Sequence, residues 1–139
     1  MTTKQMNEND VVNAVCQRME RIGYKILSYC DTNTKGIDVH AHDQINDHHY
    51  YVEAKGGTSS KKETARFGRP FSKPQVFDRV AKGIFTCLEL RAKYPDRMTQ
   101  HIELAVPESS YFRSYINPII AQLKEAGIDV YFYCLEPQL

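Results

Sequence analysis

Apolar residues recur at helical spacing near the start of the chain. Val11, Val12, Val15, Met19 and Ile22 fall on one stripe, which predicts a helix over 7–22 with Asn7 as its cap and Gly23 as its stop. The period then shortens to that of strands. Lys25–Tyr29 reads as a first strand, 37–42 as a second and 49–55 as a third, the last two forming an antiparallel hairpin around the polar turn 43–47. A long loop, 56–74, is rich in Gly, Ser, Lys and Arg. Pro74 opens a second helix over 74–93, with Val76, Val80, Ile84, Cys87 and Leu88 as its apolar stripe. Segment 101–106 reads as a fourth strand, 111–126 as a third helix with Pro118 as a bend or break, and 128–135 as a last strand. The order αβββαβαβ, a hairpin followed by βαβ units, predicts an α/β fold: a mixed central β-sheet flanked by helices.

Composition narrows this only a little. A chain of 139 residues fits a single domain, 1–139, whose core needs no disulfide or metal staples. Cys16, Cys30, Cys87 and Cys134 are scattered and form no C-x-x-C pair, so they read as buried, reduced thiols of a cytoplasmic protein and argue against a zinc ribbon. No apolar run reaches membrane-spanning length and no signal-peptide core opens the chain. A net charge of +1 gives no global attraction for a polyanion, so any nucleic-acid contact has to come from local clusters.

One place breaks the pattern of a packing strand. Within Tyr50-Tyr51-Val52-Glu53-Ala54-Lys55, alternation puts Glu53 and Lys55 on one face and Tyr50, Val52 and Ala54 on the other. Asp38 lies on the partner strand of the hairpin, so both carboxylates converge on one face. Charges placed near a core must be paired or bind a metal. Hard oxygen ligands suit Mg²⁺ or Mn²⁺, with the Ala54 carbonyl as a further ligand. Lys55 is placed to hold an attacking water or to offset charge on phosphorus. Downstream, Lys61, Lys62, Arg66, Arg69 and Lys73 face one acid, Glu63, with Phe67 and Phe71 interleaved. That cluster suits phosphate contact, with the rings free to stack on bases.

Asp38 followed by Glu53-Ala54-Lys55 resembles the signature of the PD-(D/E)xK, or restriction-endonuclease-like, nuclease superfamily. Ile37 stands where that family's motif has proline. The resemblance implies a restriction-endonuclease-like core, Mg²⁺ (or Mn²⁺) dependence and a nucleic-acid substrate, DNA ahead of RNA. It implies catalytic roles for Asp38, Glu53, Lys55 and Gln75, the last on the helix after the E-x-K strand. It also implies Glu8, on the first helix, as an additional metal-site acid. Specificity would come from loops, a homodimer or a partner protein.

Plainer readings stand beside these. Asp38, Glu53 and Lys55 can be a structural ion-pair network, Glu8 a first-turn acid complementing the helix dipole, and the basic loop a solvated segment anchored by its phenylalanines. Asp10 reads as the dipole acid, Asp129 as a helix-to-strand turn residue, and Tyr131-Phe132-Tyr133 as strand packing. Two rival functions remain. One is a catalytically silent binding, inhibitory or assembly module on the same fold, such as a toxin-neutralising partner. The other is a metalloprotein centred on His40, His42 and His48 or His49, whose metal binding would survive loss of Glu53.

Overall fold

The computed structural model describes residues 5–30, 36–59 and 69–135. Its elements run α1 (Glu8–Arg21), β1 (Lys25–Tyr29), β2 (Val39–Asp43), β3 (His48–Ala54), α2 (Lys73–Lys93), β4 (Gln100–Pro107), α3 (Ser110–Ile116), a 3₁₀ turn (Asn117–Ile119), α4 (Ile120–Glu125) and β5 (Ile128–Tyr133). The five strands form one mixed sheet in the order β1-β2-β3-β4-β5. The first three pair antiparallel, and β3-β4 and β4-β5 pair parallel. Among the described residues, no helix is long and apolar enough to cross a membrane.

The parallel half decides which helix covers which face. Both crossovers step across the sheet in the same direction. Right-handed connections therefore bring α2, α3 and α4 onto one face. That leaves the other face for α1. Val11, Val12, Val15 and Met19 of α1 are buried with Val39, Ala41, Val52, Ala54 and Ala105. Val76, Val80, Cys87 and Leu90 of α2 are buried with Tyr51, Ile102, Leu104 and Val106, joined by Phe112 and Ile116 from α3. Alternation in β3 thus divides its residues cleanly between two cores.

The α1 core contains one acid. Glu103 of β4 is 1% exposed, accepts from Arg18 Nη1 at 2.6 Å and from the Tyr133 hydroxyl at 2.9 Å. This group ties α1 to β4 and β5. The arrangement shows how a buried charge is tolerated on this fold: it is matched by a cation and a hydroxyl.

The third helix divides at Pro118, as expected: the residue lacks an N–H and its ring crowds the preceding turn, so the chain passes through a 3₁₀ turn there. Two expectations need correction. Asp129 lies inside β5, opposite Glu103 and exposed; Gly127, at φ 83°, makes the turn instead. Cys134 is exposed and Cys16 and Cys30 are half-buried; Cys87 alone of the four is fully buried.

Candidate active site

Strand register brings the first two acids together. Val39 of β2 lies opposite Val52 of β3, so the next pair outward is Asp38 with Glu53. The Ala54 N–H donates to Asp38 Oδ2 at 2.7 Å, fixing the Asp38 carboxyl against the end of β3. On the other flank, the Lys55 N–H donates to the Ala105 carbonyl at 2.9 Å, so the backbone stays tied to β4 through the end of the strand. Lys55 Nζ is 3.2 Å from Glu53 Oε1. These groups sit where the antiparallel half of the sheet meets the parallel half.

Two glycines admit the rest of the site. A Cβ on Gly83 of α2 would lie 2.8 Å from Leu104 Cδ1 and 3.3 Å from Lys55 Cγ. The aliphatic stem of Lys55 therefore runs directly against the α2 backbone. A glycine inside a helix costs about 1 kcal/mol relative to alanine; here it makes room for that stem. A Cβ on Gly56 would fall 2.2 Å from the Glu8 nitrogen and 2.5 Å from the Asn7 carbonyl carbon. The start of α1 is thus packed on the residue that follows Lys55. The Gly57 N–H donates to the Met6 carbonyl at 2.7 Å, and Thr58 forms a parallel bridge with Asn7.

That docking delivers Glu8. Its carboxyl is pushed up from its ordinary range by burial first and by Asp38 second, while Lys55 and Arg79 oppose the shift. Asp10 instead shapes the helix start, where it accepts the Asn7 N–H at 3.0 Å and completes a capping box with the Asn7 side chain.

The electrostatics of the cluster are those of an acid excess. Burial, then repulsion from Glu53, pushes the Asp38 carboxyl up to about 7, against the Ala54 N–H and Lys55. Burial also raises Glu53, which is 8% exposed, although Lys55 works against it. Cys87 lies below; burial, then Glu53, holds its thiol neutral. Burial raises Glu103 too, but there a single acid faces Arg18 and the Tyr133 hydroxyl, whereas Glu8, Asp38 and Glu53 share Lys55, with Arg79 acting on Glu8. A divalent cation would relieve that excess, and the donors are hard oxygens. The set is open: among the described residues only His42, Asp47 and His49 bring three such ligand atoms within 4.8 Å of one another.

The remaining predicted residues divide. Gln75 lies in the first turn of α2, where its Oε1 accepts the Ser72 N–H at 2.8 Å in a capping box. That oxygen serves the helix start in this structure. Arg69 and Lys73 are exposed; the Thr58 hydroxyl donates to the Arg69 carbonyl, and Lys73 Nζ stands 5.8 Å from the Tyr115 ring centre. Lys61, Lys62, Arg66 and Phe67 lie outside the described residues. Phe71 is an anchor, buried in the core, with the Arg79 guanidinium 4.9 Å from its ring centre.

Sequence reasoning missed Arg79, Gly56 and Gly83. Arg79 precedes the buried Val80 and carries no local signature. The glycines do have one: a Gly-Gly pair directly after the E-x-K strand, and a lone glycine in an otherwise well-formed helix. A cleft of about 600 Å³ along α1 and β5, lined by Asn13, Gln17, Arg18 and Tyr131, contains none of Asp38, Glu53 or Lys55. Searches of family models, curated proteins and solved structures found no match to this chain.

Proposed function

We propose that this protein is a metal-dependent nuclease of restriction-endonuclease-like architecture, hydrolysing phosphodiester bonds in nucleic acid, with DNA ahead of RNA. The observation that carries this reading is the opposed pair Asp38–Glu53, with Lys55 on Glu53 and Glu8 delivered from α1. A cluster with more carboxylates than paired cations is costly to bury, and a fold that needed only packing has an alternative in the Arg18–Glu103 pair.

Asp38, Glu53 and the Ala54 carbonyl would hold Mg²⁺ or Mn²⁺, with Glu8 at its outer side. When bound, the ion supplies Lewis-acid polarisation of a phosphate oxygen and a more acidic water. Glu53 orients the Lys55 ammonium. Lys55 then donates to the attacking water or to a developing negative oxygen, from a stem that Gly83 holds against α2. Arg79, with Arg69 and Lys73 at the start of α2, offers phosphate contacts that position the strand. The exposed rim matches a polymer lying across the surface. Specificity would come from the loops, a second copy or a partner protein.

The test is cleavage of single-stranded, duplex and branched DNA and RNA with Mg²⁺ or Mn²⁺, comparing the native chain with Glu53→Gln and Lys55→Ala. Metal-dependent cutting that both substitutions remove supports the proposal and names the substrate. Binding without cutting, unchanged in both variants, rejects it in favour of a silent binding or assembly module.

A further inference from the structure

The β2–β3 hairpin has a second cluster at its closed end. Register sets His42 directly opposite His49, with ring centres 4.3 Å apart. Asp47 occupies a left-handed turn position, φ 53°, which turns its carboxylate back over both rings. Asp47 Oδ1 lies 2.7 Å from His42 Nε2 and 3.4 Å from His49 Nε2. One ligand atom from each of the three residues falls within 4.8 Å of the other two. Behind them, His40 Nε2 is 2.9 Å from His49 Nδ1.

Neighbouring groups have other work. Asp43 accepts the Ile45 N–H and the Asn46 side-chain amide, both at 3.0 Å, and so shapes the turn. His48 points to the opposite face, where its Nδ1 is 3.1 Å from His101 Nε2. The histidine pair that shares the Asp47 carboxylate is His42 and His49.

We propose that His42 Nε2, His49 Nε2 and the Asp47 carboxylate form a zinc-binding site that clips the hairpin, with a fourth position open to water. Tetrahedral zinc with bonds of roughly 2.0–2.2 Å sets its ligand atoms about 3.3 Å apart. The two separations to Asp47 Oδ1 bracket that spacing, and all three ligand atoms lie within 4.8 Å of one another. In the bound form His49 Nδ1–H donates to His40 Nε2, which aims the His49 Nε2 lone pair at the ion. Two imidazoles and a carboxylate select zinc over Mg²⁺. The Asp47 side chain is 82% exposed, which leaves an entry path. The site stands independently of the nuclease reading, because it uses none of Glu8, Asp38, Glu53 or Lys55.

The experiment is titration of the chelator-stripped, untagged chain with Zn²⁺ in competition with a chromophoric chelator. It is run on the native protein and on His49→Ala, Asp47→Asn, His40→Phe and Glu53→Gln, with Tm recorded with and without zinc. One zinc per chain is expected, with a raised Tm, at equal affinity in the native protein and Glu53→Gln. His49→Ala should lose it, and His40→Phe should weaken it by about 10–100-fold. Asp47→Asn, which suits the same left-handed turn position, should also bind more weakly. Native affinity no greater than that of His49→Ala overturns the proposal. So does unweakened binding by Asp47→Asn, or binding lost in Glu53→Gln, which would place the zinc among the carboxylates.

Discussion

The two ends of the β2–β3 hairpin carry opposite chemistry on the same face of the sheet. The open end has Asp38, Glu53 and Lys55, half-buried or buried beneath α2. The closed end has His42, His49 and Asp47, reaching solvent beyond it. Four residues of strand, about 14 Å, separate Glu53 from His49. Identical strand geometry gathers side chains at each end, so register alone does not distinguish them. Burial does. Desolvation raises the carboxyls at the open end, where Lys55 opposes it and Arg79 opposes it at Glu8. At the closed end, hydrogen bonding to His42 holds the exposed Asp47 below the usual aspartate range. The lesson is that strand pairing assembles a site, while the helix laid over it sets its electrostatic demand.

The sharpest way to break the comparison is at Lys55. Lys55→Ala should lower metal-dependent cleavage by about 10²–10³-fold, the scale of losing one aimed donor. It should leave zinc binding at the other end unchanged. Steady-state cleavage and zinc titration on one preparation check both halves.

The next effect is on stability. Gly56→Ala puts a methyl into the backbone of Asn7 and Glu8, which cannot yield without moving the start of α1. Overpacking of that kind costs about 1–3 kcal/mol or more. Denaturant unfolding reads it, and a midpoint equal to that of the native protein would show that the contact is slack.

A pH series sharpens the contrast in burial. A carboxyl whose folded pKa exceeds its unfolded value binds more protons in the folded state, so stability falls as pH rises between the two values. For Asp38 that window runs from 3.8 to about 7. In chelator, the native Tm should therefore fall between about pH 4 and pH 8 more steeply than that of Asp38→Asn, which keeps an oxygen for the Ala54 N–H. Mg²⁺ should flatten the native curve. Parallel curves for the two proteins would mean that Asp38 is not strained.

The smallest effect is expected at Arg79. Arg79→Ala should weaken nucleic-acid binding evenly across sequences and reduce the slope of log affinity against log salt by about 1. An unchanged slope would remove Arg79 from the substrate path.

What was legible in the sequence was local. Period and punctuation determined the element order, and alternation determined that Glu53 and Lys55 share a face while Val52 and Ala54 share the other. The hairpin made Asp38 the partner of Glu53, because a short turn between alternating strands leaves little freedom of register. Helix capping was legible: Asn7 was readable as a cap, and Ser72-Lys73-Pro74-Gln75 has the capping-box spacing that commits Gln75 to Ser72.

Only the tertiary structure decided what arrives from elsewhere in the chain. Glu8 comes within electrostatic reach of Asp38 because Gly56 lets two backbones touch. Arg79 comes within electrostatic reach of Glu8 from α2. Asp47 joins two histidines because one turn residue adopts a left-handed backbone, while His48, adjacent in sequence, goes to the other face. Side-chain periodicity fixes which face a residue takes within its own element. Which elements meet at that face depends on crossover handedness and on where a missing Cβ permits close approach, and neither is a property of local spacing.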